Sequence, residues 1–213
     1  SLRRHAQGVV YLPACEIPAG TGATRQRTAV DALLLGRAEV TNAEYAFYAS
    51  ANKIDLPSDW KAGRDDYPVA NVTWQQADAY AQWLGVRLPT GLEWELAVRG
   101  TAGRQYPWGN TFEAGWVNLA RPSAKGGPPA SASLLQAYRR MSRRDESPFF
   151  HLVGNVREWT STAQRDPKVT LLTCETVGAS AAELEKDAAA HLRVPRKPDA
   201  ADPHVGFRLA RPR

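Results

Sequence analysis

One helix-start signature is repeated three times along this chain: Thr41 with Glu44, Thr73 with Gln76, and Thr90 with Glu93. At each position the threonine hydroxyl can accept a hydrogen bond from the backbone amide three residues later. The Glu or Gln side chain can accept a hydrogen bond from the backbone amide of the threonine. Because two otherwise unpaired amides are satisfied at each start, the pattern predicts three short helices. Any fold of this chain has to accommodate them.

The ends of these helices are marked as well. The first is predicted to end near Asn52, the second to run to Leu84 with Gly85 as its stop, and the third to end at Gly100. Glycine suits such stops because it adopts the left-handed backbone that closes a helix.

Short strands are predicted around the helices, at residues 9–18 with a break at Pro13, at Leu33 to Leu35 before Gly36, at Val169 to Thr173, and at Val205 to Leu209. Thr21 to Thr28 is polar and is predicted as a loop. Residues 134–146 are predicted as a short helix, and Ala179 to Leu192, rich in Ala, Glu and Leu, as a fourth one.

The composition favours a loop-rich α+β fold. The chain has 213 residues with 16 glycines, 15 prolines and seven tryptophans. Glycine and proline interrupt regular structure, and tryptophans anchor irregular backbone by burying large areas. We find no internal repeat and no linker, so residues 1–213 are predicted to form a single domain, and the start at Ser1 suggests a fragment of a longer protein.

Two function classes are disfavoured by residue usage. The two cysteines, Cys15 and Cys174, are far apart and form no Cys-x-x-Cys pair, so a zinc site is not expected. The chain contains no run of about 18 apolar residues, so we expect no segment that spans a membrane. The first fourteen residues lack the apolar core of a signal peptide.

Arginine and alanine usage points to a bacterial source, and we expect a cytoplasmic location.

The chain carries a net charge of +5, which raises the question of nucleic-acid binding. Its basic residues are scattered, apart from the pairs Arg139-Arg140 and Arg143-Arg144. A solvated basic surface is therefore the favoured interpretation, and a nucleic-acid partner is not expected. Contact with nucleic acid through the four arginines remains a separate hypothesis.

Seven segments together carry a family resemblance: VDALLLGRAEVTNAEYAFY (30–48), YPVANVTWQQADAYAQWLG (67–85), RLPTGLEWELAVRG (87–100), YPWGN (106–110), VN (117–118), LVGNVREWT (152–160) and PDAADPHVGFRLA (198–210). Their number and order resemble the formylglycine-generating enzyme family, also called the sulfatase-modifying-factor domain. The resemblance implies a C-type-lectin-like fold with a small twisted antiparallel sheet, three to four short helices and long ordered loops.

The resemblance implies three uses of this fold. One branch oxidises a sulfatase cysteine with a copper-binding cysteine pair. A second consists of iron-dependent sulfoxide synthases, which take histidines from an additional domain. A third uses the fold only to bind, often beside bacterial protein kinases.

The oxidase branch needs two nearby thiolates because cuprous ion prefers sulfur ligands. Cys174 falls in the region where that branch has its first cysteine, but the second position, near Ala179 or Ser180, holds none. The Gly-Gly-Ser-Trp or Gly-Gly-Ser-Phe that precedes the first cysteine in the family is not found. Catalytic residues are therefore not expected, and Cys174 is a candidate only under an alternative, a divergent oxidoreductase with copper.

Iron is not expected either, because the four histidines, His5, His151, His191 and His204, lack facial-triad spacing.

A calcium site is conceivable around Glu158. The resemblance implies calcium ligands at Gly154, Val156 and Glu158, but the family's asparagine position is His151. Calcium prefers oxygen ligands, so an imidazole weakens the site. In the alternative interpretation Glu158 pairs with a buried arginine such as Arg208.

A second calcium site, beginning at Asn118-Leu119, is expected to be lost, because its later acidic ligand would fall in a stretch without carboxylates.

The remaining motif residues are expected to serve the scaffold. Trp94, Trp108 and Trp159 are predicted to pack together or near one another, and Arg208 to face inward in an ion pair. Ligands are then expected on the loops at residues 121–147 and 161–204.

We therefore expect a non-catalytic module that binds a protein or a small molecule, as a pseudoenzyme domain of a bacterial signalling or effector-type protein. No resident cofactor is expected.

Overall fold

The computed structural model describes residues 8–20, 26–119, 147–165, 172–185, 188–189 and 192–213. Within these ranges the chain forms three α-helices, α1 Asn42–Asn52, α2 Trp74–Trp83 and α3 Gly91–Arg99, and a short 3-10 helix, Ala114–Trp116. None of the helices in the described part is long and apolar enough to cross a membrane.

All three predicted helix starts are confirmed, each with both halves of its capping box. At α3, the Glu93 amide donates to Thr90 Oγ1 over 3.2 Å and the Thr90 amide donates to Glu93 Oε2 over 2.7 Å. The predicted ends are confirmed too. Gly85 and Gly100 follow α2 and α3 with positive φ angles of 70° and 57°.

The described part contains nine strands: β1 Val9–Leu12, β2 Cys15–Ala19, β3 Gln26–Val30, β4 Leu33–Gly36, β5 Arg157–Arg165, β6 Leu172–Val177, β7 Arg193–Arg196, β8 Val205–Phe207 and β9 Ala210–Pro212. They form an antiparallel sheet in the order β1-β4-β9, a β2-β3 hairpin, and a sheet in the order β7-β6-β5-β8. In the last sheet β8 runs parallel to β5, and the other neighbours are antiparallel.

Several strand predictions are confirmed and others are wrong. Pro13 separates β1 from β2, and the apolar run at Leu33 is β4, as predicted. The loop predicted for Thr21 to Thr28 is wrong at residues 26–28, which start β3 and pair with β2. Of the strand predicted for Val169 to Thr173, the last two residues begin β6, which continues to Val177, and residues 169–171 lie outside the described residues. The last predicted strand ends early, at Phe207.

The helix predicted from Ala179 to Leu192 is wrong in its described part, where residues 179–185 form turns. A capping contact exists, since the Ser180 amide donates to Glu183 Oε2 over 2.6 Å. However, the Ala181 amide donates to the Asn155 carbonyl over 2.8 Å, and Ala179 and Ala181 are buried. The segment is therefore held against β5 and its preceding turn and does not continue as a helix.

The predicted binding loop at residues 161–204 is wrong as a loop, because it contains the end of β5 and all of β6 and β7. The other predicted loop, residues 121–147, lies outside the described residues except for Ser147. The short helix predicted at residues 134–146 and the four arginines of the nucleic-acid hypothesis lie entirely outside them.

Trp94 and Trp159 belong to two different apolar clusters and Trp108 packs against a third, so the three do not share one packed group, and their nearness to one another stays a prediction. Trp94 belongs to a cluster with β2, β3, β4 and α3, and Trp159 to one with α1, α2 and β8. Trp108 packs against a third, smaller cluster. Successive strand residues face opposite sides of a sheet. Glu158 therefore meets Trp94 on one side of β5, while Trp159 is buried on the other and donates to the Val72 carbonyl.

Gly154 and Gly85 both have positive φ angles, so comparing them separates the effect of crowding from the effect of a left-handed φ. Gly154 has φ 87° and a Cβ there would lie 2.5 Å from the Asn118 carbonyl oxygen, whereas Gly85 has φ 70° and open space around it. We expect Gly85→Ala to lower the free energy of unfolding by about 1–2 kcal/mol through its left-handed backbone. Gly154→Ala should cost a further ~1–3 kcal/mol, because backbone must move. Urea denaturation of both variants measures the difference, and equal losses would contradict it.

Candidate functional site

Cys174 lies in the middle of β6, opposite Ala163 of β5 and Arg196 of β7. Its side chain is 1% exposed and belongs to the apolar cluster that also contains Trp159 and Phe207. Burial, reinforced by the charge of Asp78, raises the pKa of the Cys174 thiol to about 11. The thiolate that would attack a substrate or bind cuprous ion is therefore scarce at neutral pH.

The second cysteine does not complete a pair. Cys15 lies in β2, is half-buried, and packs against the cluster that contains Trp94. Cys174 belongs to the other large cluster, and both thiols are free. Two nearby sulfur ligands, which a cuprous site requires, are therefore not assembled from these residues.

A bend at Gly178 follows the end of β6. Gly178, Ala179 and Ser180 come directly after Val177, the last residue of the strand. Gly178 has φ 74°, and a Cβ there would lie 3.0 Å from the Trp94 ring.

An ion pair holds the segment that follows. Arg157, at the start of β5, is buried and contacts the carboxylate of Glu183 through Nε over 2.9 Å and through Nη2. Its Nη1 donates to the Gly178 carbonyl. The other oxygen of Glu183 accepts the Ser180 amide. Arg157 and Glu183 thus fix a turn in the region where the resemblance would place active-site chemistry.

A buried group of charged residues lies on the Trp94 side of β5. Arg208 donates through Nε to Glu158 Oε2 over 2.6 Å and through Nη2 to Glu158 Oε1 over 2.7 Å. Trp94 Nε1 donates to Glu158 Oε2 over 3.1 Å. Arg208 also donates to the carbonyls of Gly36, Arg37 and Phe150, which lie in or beside other elements.

Glu39 adds a second carboxylate to this group. His151 Nδ1 lies 3.1 Å from Glu39 Oε2, and Asn155 Nδ2 donates to Glu39 Oε1 over 3.0 Å. His151 and Asn155 both have positive φ angles, 52° and 70°, which are uncommon outside glycine. The two residues are thus held in unusual backbone conformations where they meet Glu39.

The net pKa shifts of the two carboxyl groups are opposite in direction, although burial acts to raise both. Burial acts to raise the pKa of Glu39, but His151 and then Arg208 outweigh it and hold that pKa below its ordinary value. Burial raises the pKa of Glu158, and Arg208 opposes the rise only in part. A buried carboxylate that is fully engaged by a guanidinium is costly to separate from its partner and therefore holds structure in place.

These residues do not fit a calcium ion at Gly154, Val156 and Glu158. Both oxygens of Glu158 accept hydrogen bonds from Arg208, whose positive charge opposes a second cation at the same carboxylate. His151, at the position of the family's asparagine, contacts Glu39. Among the described residues no group of three or more His, Cys, Asp or Glu side chains is placed to hold a metal.

Sequence reasoning missed Glu39, Asn155, Arg157 and Glu183 as members of these two groups. One signal was available, because Ser180 and Glu183 have capping-box spacing. Glu39 contacts His151, which is 112 positions away in the sequence, and Arg157 contacts Glu183, which is 26 positions away. No local sequence pattern predicts these contacts.

Comparisons with known proteins agree with this architecture. The family model described as "Sulfatase-modifying factor enzyme 1-like domain" matches residues 2–213. An inactive C-alpha-formylglycine-generating enzyme 2 of Bos taurus is 34% identical over 152 residues, which cover 68% of this chain and 50% of that protein. A formylglycine-generating enzyme of Streptomyces coelicolor is 54% identical over 113 residues, covering 46% and 33%. The chain spans about half the length of the first curated relatives that it matches.

Solved structures show the same fold. The crystal structure of CarF has a TM-score of 0.76 at 19% identity, covering 97% of this chain and 98% of CarF. PvdO from Pseudomonas aeruginosa has a TM-score of 0.72 at 19% identity, covering 99% and 96%. The predicted α+β, C-type-lectin-like fold is confirmed.

The buried ion pair can be tested by removing one charge. Glu158→Gln keeps the side-chain shape but removes the carboxylate that is bonded directly to the buried Arg208, and we expect a loss of about 3–5 kcal/mol in the free energy of unfolding. The exposed Glu185→Gln serves as the control and should change it by less than ~0.5 kcal/mol. Guanidinium denaturation compares the two, and equal effects would argue against the ion pair as a structural element.

The two thiols should differ in reactivity. We expect Cys15 to react with a water-soluble disulfide reagent at pH 8 in the folded protein, and Cys174 to react only after unfolding, because it is buried with a raised pKa. Cys15→Ser should abolish the fast reaction. Rapid labelling of Cys174 in the folded Cys15→Ser variant would contradict the structure.

Proposed function

This chain belongs to the family of the sulfatase-modifying factor enzyme 1-like domain, and we propose that within it the chain is a non-catalytic module that binds a protein or a small molecule. The proposal rests on one observation. Of the two thiols, Cys174 is buried in an apolar cluster and Cys15 packs against another. The thiolate pair on which oxidase chemistry would depend is therefore not formed.

The environment after β6 supports the same proposal. The turn at Gly178-Ala179-Ser180 leads to Glu183, whose carboxylate is engaged by Arg157 and by the Ser180 amide. Ala179, Ala181 and Ala188 are buried. A segment whose side chains are used for packing and ion pairing has few groups left to hold a substrate in a reactive position.

The similarity to a relative whose name marks it as inactive is consistent with this proposal, although other relatives bear enzyme names. The scaffold alone therefore does not assign the activity, which depends on particular residues. We place residues 1–213 in one domain of a bacterial cytoplasmic signalling or effector-type protein. Ligands are expected on residues 121–147 and on the connections between strands in 161–204.

The alternative, a divergent oxidoreductase that uses Cys174, makes a distinct prediction. It requires the thiol to become accessible and to find a second soft ligand. The two functions are distinguished by letting the protein compete with a coloured chelator for cuprous ion. The assay compares the wild-type protein with the variants Cys174→Ser and Cys15→Ser.

We expect the folded wild-type protein to take no stoichiometric copper from the chelator, and neither substitution to change this result. The same protein in denaturant, with both thiols accessible, provides the positive control. Tight binding of one copper ion per folded chain, lost in Cys174→Ser and kept in Cys15→Ser, would overturn the proposal.

A further inference from the structure

Glu95 of α3 is buried and accepts hydrogen bonds from two arginines. Arg99 Nη1 donates to Glu95 Oε1 over 3.0 Å, and Arg193 Nη2 of β7 donates to Glu95 Oε2 over 2.6 Å. Glu95 is 2% exposed and Arg99, the last residue of α3, is 8% exposed. One negative charge is therefore shared by two guanidinium groups where α3 ends.

Arg104 brings a further guanidinium group to the same place. The turn at residues 100–103 is closed by the Gly103 amide, which donates to the Gly100 carbonyl over 3.3 Å. Arg99 Nη2 donates to the Gly103 carbonyl over 3.4 Å, and Arg104 Nη2 would lie 3.2 Å from a Cβ at Gly100. The Arg104 amide also donates to the Arg99 carbonyl over 3.0 Å. Both guanidinium groups therefore lie against one turn of four residues.

Each of these two arginines has a buried N–H without an acceptor. Nε of Arg99 and Nε of Arg104 are inaccessible to solvent and donate no hydrogen bond. A buried donor without an acceptor is destabilising, and more so when it belongs to a charged group. Such donors in proteins are generally satisfied by water or by a bound ion. The two Nε atoms therefore indicate that a small molecule supplies the acceptor.

The charges at the turn favour an anion over water as that acceptor. Arg99 shares the carboxylate of Glu95 with Arg193, and in the described part of the chain no acidic side chain forms an ion pair with Arg104. Two guanidinium groups at the turn thus have less than the full charge of one carboxylate between them. Water would satisfy the two donors and leave this excess positive charge, whereas an anion satisfies both.

We infer that Arg99 and Arg104 form a binding site for an oxyanion, a phosphate or carboxylate group, at the turn that follows α3. Guanidinium groups bind both kinds of oxyanion through N–H donors that carry charge. Arg104 is half-buried, so its side chain can be reached from solvent. The site is independent of the proposed function, because neither arginine takes part in the copper chemistry that tests it.

Binding at this turn should be weak. The last carbonyls of α3 point towards its C-terminal end, and the negative end of the helix dipole opposes an anion there. The two guanidinium groups outweigh this effect only in part, and Arg99 has one N–H left to offer. We therefore expect a dissociation constant of about 1–10 mM for a small oxyanion.

NMR of the arginine side chains in ¹⁵N-labelled protein observes the two Nε–H groups directly. The wild-type protein is titrated with sodium phosphate and, separately, with sodium acetate up to about 100 mM, at an ionic strength held constant with sodium chloride because salt screens charge. The Nε–H resonances of Arg99 and Arg104 should move saturably. Saturation by phosphate identifies a phosphate site, and saturation by acetate a carboxylate site. Arg99→Lys and Arg104→Gln assign the two resonances.

Arg104→Gln removes the guanidinium group that has no ion-pair partner. We expect it to weaken the binding of the anion at least tenfold, as followed by the Arg99 resonance, because charge-assisted hydrogen bonds are lost. Its melting temperature in chloride should stay within about 2 °C of the wild type, since no hydrogen bond within the protein is lost. Arg64→Gln is the matched control, because Arg64 is also half-buried and packs on the Tyr67 ring at 5.3 Å. It should change the binding less than twofold.

Three results would overturn the site. The first is a titration in which neither anion moves the two resonances saturably, which would leave water as the acceptor. The second is equal weakening of binding by Arg104→Gln and Arg64→Gln, which would indicate an effect of net charge alone. The third is a large loss of stability in Arg104→Gln without added anion, which would show that its guanidinium group already has a partner within the protein.

Discussion

The ion pair between Arg208 and Glu158 is the interaction on which the arrangement of the other elements depends. Both side chains are fully buried, so neither charge can be hydrated, and each must be satisfied by protein. Arg208 reaches Glu158 of β5 and the carbonyls of Gly36, Arg37 and Phe150. One guanidinium therefore joins the end of β4, the four-stranded sheet and the segment before β5. Trp94 connects α3 to the same carboxylate.

Three consecutive residues of β5 have three different structural roles. Arg157 holds the turn after β6, Glu158 binds Arg208, and Trp159 fills the cluster formed with α1 and α2. Because all three residues stabilise the fold, a chain can keep them without any catalytic chemistry at the turn after β6. The family resemblance therefore identifies the fold, whereas the activity depends on Cys174 and the residues after Gly178.

What the sequence could predict follows from the range of each interaction. The helices were predictable because their capping boxes lie within four residues, and the strand at Leu33 was predictable from a short apolar run. The β2-β3 hairpin was missed because Gln26 to Thr28 are polar residues on a largely exposed strand. The turn at Ser180 was predicted as part of a helix because the segment is rich in Ala, Glu and Leu. The bond from the Ala181 amide to the Asn155 carbonyl, which redirects the segment, joins residues distant in sequence. The roles of Glu39 and Arg157 likewise depended on partners distant in sequence.

The edge strand β7 has a consequence for how copies of this chain can meet. Pro195, in the middle of Arg193–Arg196, is paired in register with Glu175 of β6. Proline has no amide hydrogen, so in an edge strand its nitrogen faces away from the neighbouring strand. In the described part of the four-stranded sheet, the outer rim therefore lacks a donor at the centre of β7, which disfavours extension of the hydrogen-bonded ladder by a strand from another molecule. Proline at such an edge protects a sheet against aggregation through added strands.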